Sequence, residues 1–153
     1  MQGGERGGRH APPAVVASGA YLKAHGHKPL ARVAAAAAVG LPPEVMGIGP
    51  APAIRLLLER TGLTLADIGR FEINEAQGAQ TLAVAKELGL DMDKLNVHGG
   101  AIALGHPLAC TGVRLTITVA RQLRESNLRY GISSACVGGG QGMALLIENP
   151  DFR

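Results

Sequence analysis

The spacing of apolar positions along the chain switches repeatedly between the period of a strand and that of a helix, with glycines at the switches. PAVVAS (residues 13–18) predicts a short strand, and GAYLKAHG a helix closed by Gly26. LARVAAAAAVG, between Pro29 and Gly40, carries two readings. Its five consecutive alanines favour helix, whereas its Leu, Val and bracketing Pro and Gly allow a strand buried on both faces. PAPAIRLLLERTG predicts a helix with Ile54, Leu57 and Leu58 on one side and Gly62 as its stop. RFEINEA predicts a strand running into a turn, AQTLAVAKELG a helix ended by Gly89, and LDMDKLNV a return to the sheet. From Pro107 to about Glu125 runs a long helix whose first turns carry only Arg114 as a charge, so burial between layers is expected, with the charged last third in solvent. YGISSACVGGGQGMALLIEN closes the chain as two apolar strands around a glycine loop, an antiparallel hairpin. Together these predict an α/β layered domain over 14–153, with one mixed sheet and helices on both sides.

Composition narrows the function. The 153 residues are 46% hydrophobic and 18% charged, an ordinary globular balance, but hold only two Tyr, two Phe and no Trp, so base stacking on aromatics is not expected. The net charge of +3 comes from basic residues scattered along the chain, which does not predict a nucleic-acid partner. Arg121, Arg124 and Arg129 read as a solvated helix end. Residues 1–13, MQGGERGGRHAPP, lack an apolar anchor and read as a disordered tail. The uncharged stretches 95–113 and 130–147 are broken by Gly, His and Pro, so neither reads as a membrane span. Two cysteines, Cys110 and Cys136, make no disulfide framework, and a reducing, cytoplasmic setting is expected. No pairing among His98, His106, Cys110 and Cys136 has the spacing of metal ligands, and no metal is expected.

GGAIALGHP (residues 99–107) places one imidazole, His106, between a glycine and a proline. Pro107 disfavours helical geometry at His106 and suits a first helical position, so the ring stands at a helix start, where the positive end of the dipole favours neutral imidazole and nearby anions. Such a histidine can take a proton from a thiol or donate to an oxyanion; read alone, it serves equally as a helix cap. Cys136 ends an apolar strand just before Gly138, Gly139 and Gly140, whose backbone N–H groups can turn toward a ligand. It reads as an acid, base or nucleophile, or as a structural thiol beside a hairpin turn. Asn74, at the polar end of a strand, can hold a water or a carbonyl, or satisfy local backbone.

In combination, MGIGPAPAI (residues 46–54), NEA (74–76), GGAIALGHP and CVGGGQG (136–142) resemble the C-terminal half of a thiolase, the acyl-CoA acetyltransferase family, from about Ala14 to Asn149. The resemblance implies one half of an αβαβα sandwich and 3-ketoacyl-CoA cleavage by CoA, or the reverse condensation of two acetyl-CoA, as in fatty acid beta-oxidation. It implies that His106 activates a cysteine nucleophile on an N-terminal half that this chain lacks. It also implies that Cys136 moves a proton at the acetyl carbon, that Asn74 holds a water in one oxyanion hole, and that the Gly138 amide contributes to the other. Ala76 and Gln77 would lie at the acyl or pantetheine contact. Coenzyme A thioesters are then substrates, with no cofactor. The implied partners are acyl-CoA, CoA and the other half or a partner subunit, in a homo-oligomer, with the mitochondrial matrix or peroxisome as the compartment in a eukaryote. Gln77, Gly78 and Ala109 depart from the family pattern, and a non-catalytic module binding a separate thiolase or acyl-CoA-binding partner is the alternative.

Overall fold

A computed structural model describes residues 14–153; the expected tail lies outside them. The elements are helix α1 (Gly19–His25), strand β1 (Arg32–Gly40), helix α2 (Pro50–Thr61), strand β2 (Ile68–Ile73), and helices α3 (Gly78–Leu88), α4 (Ala101–Leu104) and α5 (Leu108–Glu125). Strands β3 (Tyr130–Val137) and β4 (Gln141–Glu148) complete the chain, and short 3-10 turns precede α2 and β2 and follow α3. The four strands form one mixed sheet in the order β1-β4-β3-β2. β4 pairs antiparallel with both β1 and β3, whereas β2 runs parallel to β3.

Alternation along β4 divides the core. Ala144 and Leu146 face α2 and α3, where they meet Ile54, Leu57 and Val84; Ile147 faces α5, where it meets Val119, Ala120 and Leu123. Helices therefore cover both faces, as expected. The alanine run resolves as strand. Ala34–Ala38 lie within β1 because pairing with β4 supplies the ladder bonds that outweigh the helical propensity of alanine. The expected stops at Gly26, Gly62 and Gly89 are all left-handed residues that cap α1, α2 and α3.

Four expectations change. LDMDKLNV forms no strand and pairs with the sheet only through a one-residue bridge from Leu95 to Phe71. The strand over PAVVAS is absent from its described residues 14–18, which pair with no other strand and leave Val15 and Val16 exposed. An apolar alternation without a neighbouring edge gains no ladder bonds. Helix α5 starts at Leu108, with Pro107 as its cap, and is buried on one side only. Leu115, Val119 and Leu123 meet the sheet, while Gly112 is exposed and Val113 and Ile117 are half-buried. Arg121 is solvated, but Arg124 donates to the carbonyls of Pro29 and Leu30 and pairs with Asp151, so this part of the helix end ties down the approach to β1.

The single charge in the apolar part of α5 has a buried counterpart. Arg114 Nη1 donates to Glu72 Oε2 at 3.0 Å, and Gln122 Nε2 donates to Glu72 Oε1 at 2.9 Å. Glu72, on β2, is fully buried. Burial pushes its carboxyl above the ordinary range, against the pull of Gln122 and Arg114. Glu72→Ala leaves both donors without their acceptor and should cost about 3–5 kcal/mol in chemical denaturation. A loss below about 1 kcal/mol, the scale of a surface pair, would show that the bridge does not hold α5 to the sheet.

Candidate active site

Three of the six residues singled out in the sequence line one cleft of about 400 Å³: His106, Cys136 and Gly138. The cleft opens between the start of α5 and the β3–β4 hairpin, with Leu108, Leu115 and Met143 among its apolar walls. Asn74 lies just behind it. Its N–H donates to the carbonyl of Ser134, a cleft residue two positions before Cys136. The Asn74 side chain is 1% exposed, and its Oδ1 has no hydrogen-bond partner. Ala76 and Gln77 are exposed in the approach to α3 and lie outside the cleft lining, Gln77 serving as the cap of α3. Ala109 is also exposed and outside the lining, so its methyl group does not narrow the cleft.

Each motif is held by another. Gly140 and Gly142 of the hairpin pack directly on backbone. A Cβ at Gly142 would overlap the carbonyl of Gly49, and one at Gly140, which also has φ +94°, would overlap the carbonyl of Leu41. MGIGP and CVGGGQG thus interlock through atoms that only glycine leaves room for. By contrast, a Cβ at Gly138 would meet nothing within 4 Å, so the chain is uncrowded where it lines the cleft.

His106 follows Gly105, whose φ of +88° and ψ of +168° belong to glycine alone and redirect the chain from α4 into the helix start. The imidazole Nδ1 is 2.6 Å from Thr111 Oγ1, one turn into α5. The Thr111 hydroxyl also lies 3.2 Å from the Pro107 carbonyl, and when it donates there it accepts from the ring. With the Thr111 proton given to Pro107, the ring proton sits on Nδ1 and Nε2 keeps a free lone pair, the form needed to take a proton; with it given to the ring, the tautomer reverses. Thr111 was not singled out in the sequence; a hydroxyl five residues after His106, on the helix face under the histidine, was the available signal.

Cys136 is half-buried, and burial pushes its thiol up. It is therefore protonated at neutral pH, a thiol with a proton to give. Among the described residues no group of three His, Cys, Asp or Glu could hold a metal ion, and no helix is long and apolar enough to cross a membrane.

Residues 27–149 match the family described as Thiolase, C-terminal domain. The chain belongs to the thiolase family. Mitochondrial 3-ketoacyl-CoA thiolase of Bos taurus is 50% identical over 135 residues, which cover 88% of this chain and 34% of the relative. The crystal structure of human mitochondrial 3-ketoacyl-CoA thiolase in complex with CoA superposes with a TM-score of 0.85 at 47% identity, over 87% of this chain and 34% of that one. Bacillus anthracis acetyl-CoA acetyltransferase gives a TM-score of 0.83 at 50% identity, over 86% and 33% of the two chains. This thiolase chain spans about a third of the length of the curated relatives it matches.

Two measurements test the thiolase cleft as described. The rate of Cys136 alkylation by iodoacetamide, followed by peptide mapping, should rise with a pH midpoint above the roughly 8.5 of free cysteine, because the raised thiol keeps its proton longer. A midpoint below that value would mean an activated thiolate instead. Two-bond 1H–15N spectra of the labelled chain at about pH 8.5, above the ordinary imidazole range, should show His106 as the Nδ1–H tautomer, and Thr111→Val should shift the population toward Nε2–H. A wild-type spectrum dominated by Nε2–H would mean that Thr111 donates to the ring instead.

Proposed function

We propose that this chain is the C-terminal catalytic domain of a thiolase that cleaves 3-ketoacyl-CoA with CoA, or condenses two acetyl-CoA in reverse. The nucleophilic cysteine is supplied by an N-terminal half. The observation that carries this reading is the convergence of His106, Cys136 and Gly138 on one cleft. A proton acceptor, a proton donor and a backbone amide are the parts that acyl transfer through an acyl-cysteine requires.

In this proposal His106 Nε2 takes the proton of the nucleophilic thiol, which attacks the 3-keto carbonyl. As the C2–C3 bond breaks, the electron pair goes to C2 of the departing acetyl-CoA, and Cys136 donates its proton there. The Cys136 thiolate then takes the proton of the incoming CoA thiol, and CoA attacks the acyl-cysteine. When the acyl–sulfur bond breaks, the proton returns from His106 to the nucleophile. The oxygens that become negative are met by the His106 and Gly138 N–H donors and by a water held at Asn74. The unpaired, buried Oδ1 of Asn74 supports that role, since a water donating to it has its second proton free for a thioester oxygen. The raised thiol of Cys136 supports proton transfer over nucleophilic attack. Around the cleft, Ile102, Leu104 and Leu108 are exposed, Leu108 at 84%, an apolar rim that suits contact with the other half.

The test supplies a thiolase N-terminal half to this chain and measures acetoacetyl-CoA cleavage. The assembled enzyme should turn over, and His106→Ala and Cys136→Ala should each lower kcat about 100-fold or more without preventing assembly. The isolated chain incubated with acetoacetyl-CoA should show no turnover and no acyl adduct on Cys136 by intact mass. Near-normal turnover by His106→Ala would remove the central residue. No turnover by an assembled wild-type complex would leave a binding module.

A further inference from the structure

The segment that delivers His106 hangs from β2 by a one-residue backbone bridge at Leu95, the Asn96 N–H and side chains rather than by a strand. Asn96, in the left-handed region at φ +46°, uses its amide as a strand residue would use its backbone: Oδ1 accepts from the N–H of Ile73 and Nδ2 donates to its carbonyl, both at 2.9 Å. The same Nδ2 lies 3.2 Å from Glu75 Oε1. The other carboxylate oxygen, Glu75 Oε2, accepts from the N–H of Ile102 at 2.9 Å, in the one-turn helix α4 that leads into Gly105 and His106. Gly100 packs against this carboxylate so closely that a Cβ would stand 2.6 Å from both oxygens.

One carboxylate therefore joins two strips of the site. On its own strip Glu75 directly follows Asn74; through Ile102 it holds the turn that presents His106.

We infer that Glu75 is a positioning residue of this active site, acting with Asn96 to hold the His106 turn against the Asn74 turn. It touches no reacting atom; it fixes the spacing of two groups that do. The inference rests on the thiolase reading for its kinetic consequence but not for its structural one. Glutamine at this position keeps the volume but has one acceptor oxygen for two converging donors, so Glu75→Gln must break one contact. Gly100→Ala disturbs the same contact from the opposite side.

The experiment records His106 ring 15N resonances in the labelled chain and kcat and KM for CoA in the assembled enzyme. Glu75→Gln and Gly100→Ala should each displace or broaden the His106 resonances while the amide spectrum of the sheet stays native. In the assembled enzyme each should lower kcat about tenfold or more, with KM for CoA changed less than about twofold, because misplacement by an ångström is enough to slow the chemistry. In a Glu75→Ala background, where the carboxylate is gone, Gly100→Ala should add nothing. Unchanged His106 resonances in Glu75→Gln would overturn the inference, as would full additivity of Gly100→Ala with Glu75→Ala. Should Glu75→Gln fail to fold, the Gly100→Ala arm decides by the same criteria. An inactive wild-type assembly would count against the thiolase reading alone, since the resonances still decide the positioning role.

Discussion

The free edge of β2 is closed by Lys94, Leu95 and Asn96, and its last residue, Ile73, by the asparagine side chain. Beside the backbone bond from the Asn96 N–H to the Phe71 carbonyl and a one-residue bridge from Leu95 to Phe71, it is the Asn96 side chain that occupies the N–H and the carbonyl of Ile73. An open parallel edge leaves strong donors and acceptors in need of partners. Meeting that need with a side chain has a geometric consequence: the main chain at residue 96 is free to turn away instead of continuing as a strand. It then passes through Gly99 and Gly100 into α4 and reaches His106 at the end of the sheet that carries Asn74 and Cys136. A fifth strand in this place would have carried the histidine past the cleft.

The opposite side of the cleft rests on backbone touching backbone. The contact of Gly142 with Gly49 and of Gly140 with Leu41 brings the hairpin against the turn before α2, and the Leu41 N–H closes it by donating to the Gly140 carbonyl at 2.8 Å. Rigidity of the hairpin at these positions is what lets Gly138, at its tip, remain uncrowded without being loose. The glycines of CVGGGQG thus divide between packing and ligand approach.

Helix α5 joins the two sides. Its first turn holds His106 through Thr111, its middle is anchored to β2 by Glu72, Arg114 and Gln122, and its end meets the approach to β1 through Arg124. Its other face is only partly covered within this chain. A helix designed for one layer would carry charge there; Val113 and Ile117 stand there instead. That pattern agrees with a chain that spans a third of its relatives' length.

Much of this was determined by the sequence itself, and the reason is local physics. Glycine stops, helical periodicity and the hairpin loop depend on neighbours a few residues away, and so α2, α3, α5 and the β3–β4 hairpin were legible, as was the pairing of a proline with His106 at a helix start. The lone Arg114 in the apolar part of α5 also left a readable trace, though only the fold shows that it meets Glu72. What tertiary structure alone decided are the relations between distant residues. The alanine run became a strand because β4 was there to pair with it, whereas residues 14–18 did not because no edge was offered. Asn74 settled behind the cleft and Ala76 and Gln77 outside it, since successive residues of a turn send their side chains in different directions. The link from Glu75 to Ile102 spans 27 positions in the chain, and no pattern of hydrophobicity encodes a hydrogen bond between a carboxylate and one particular backbone amide.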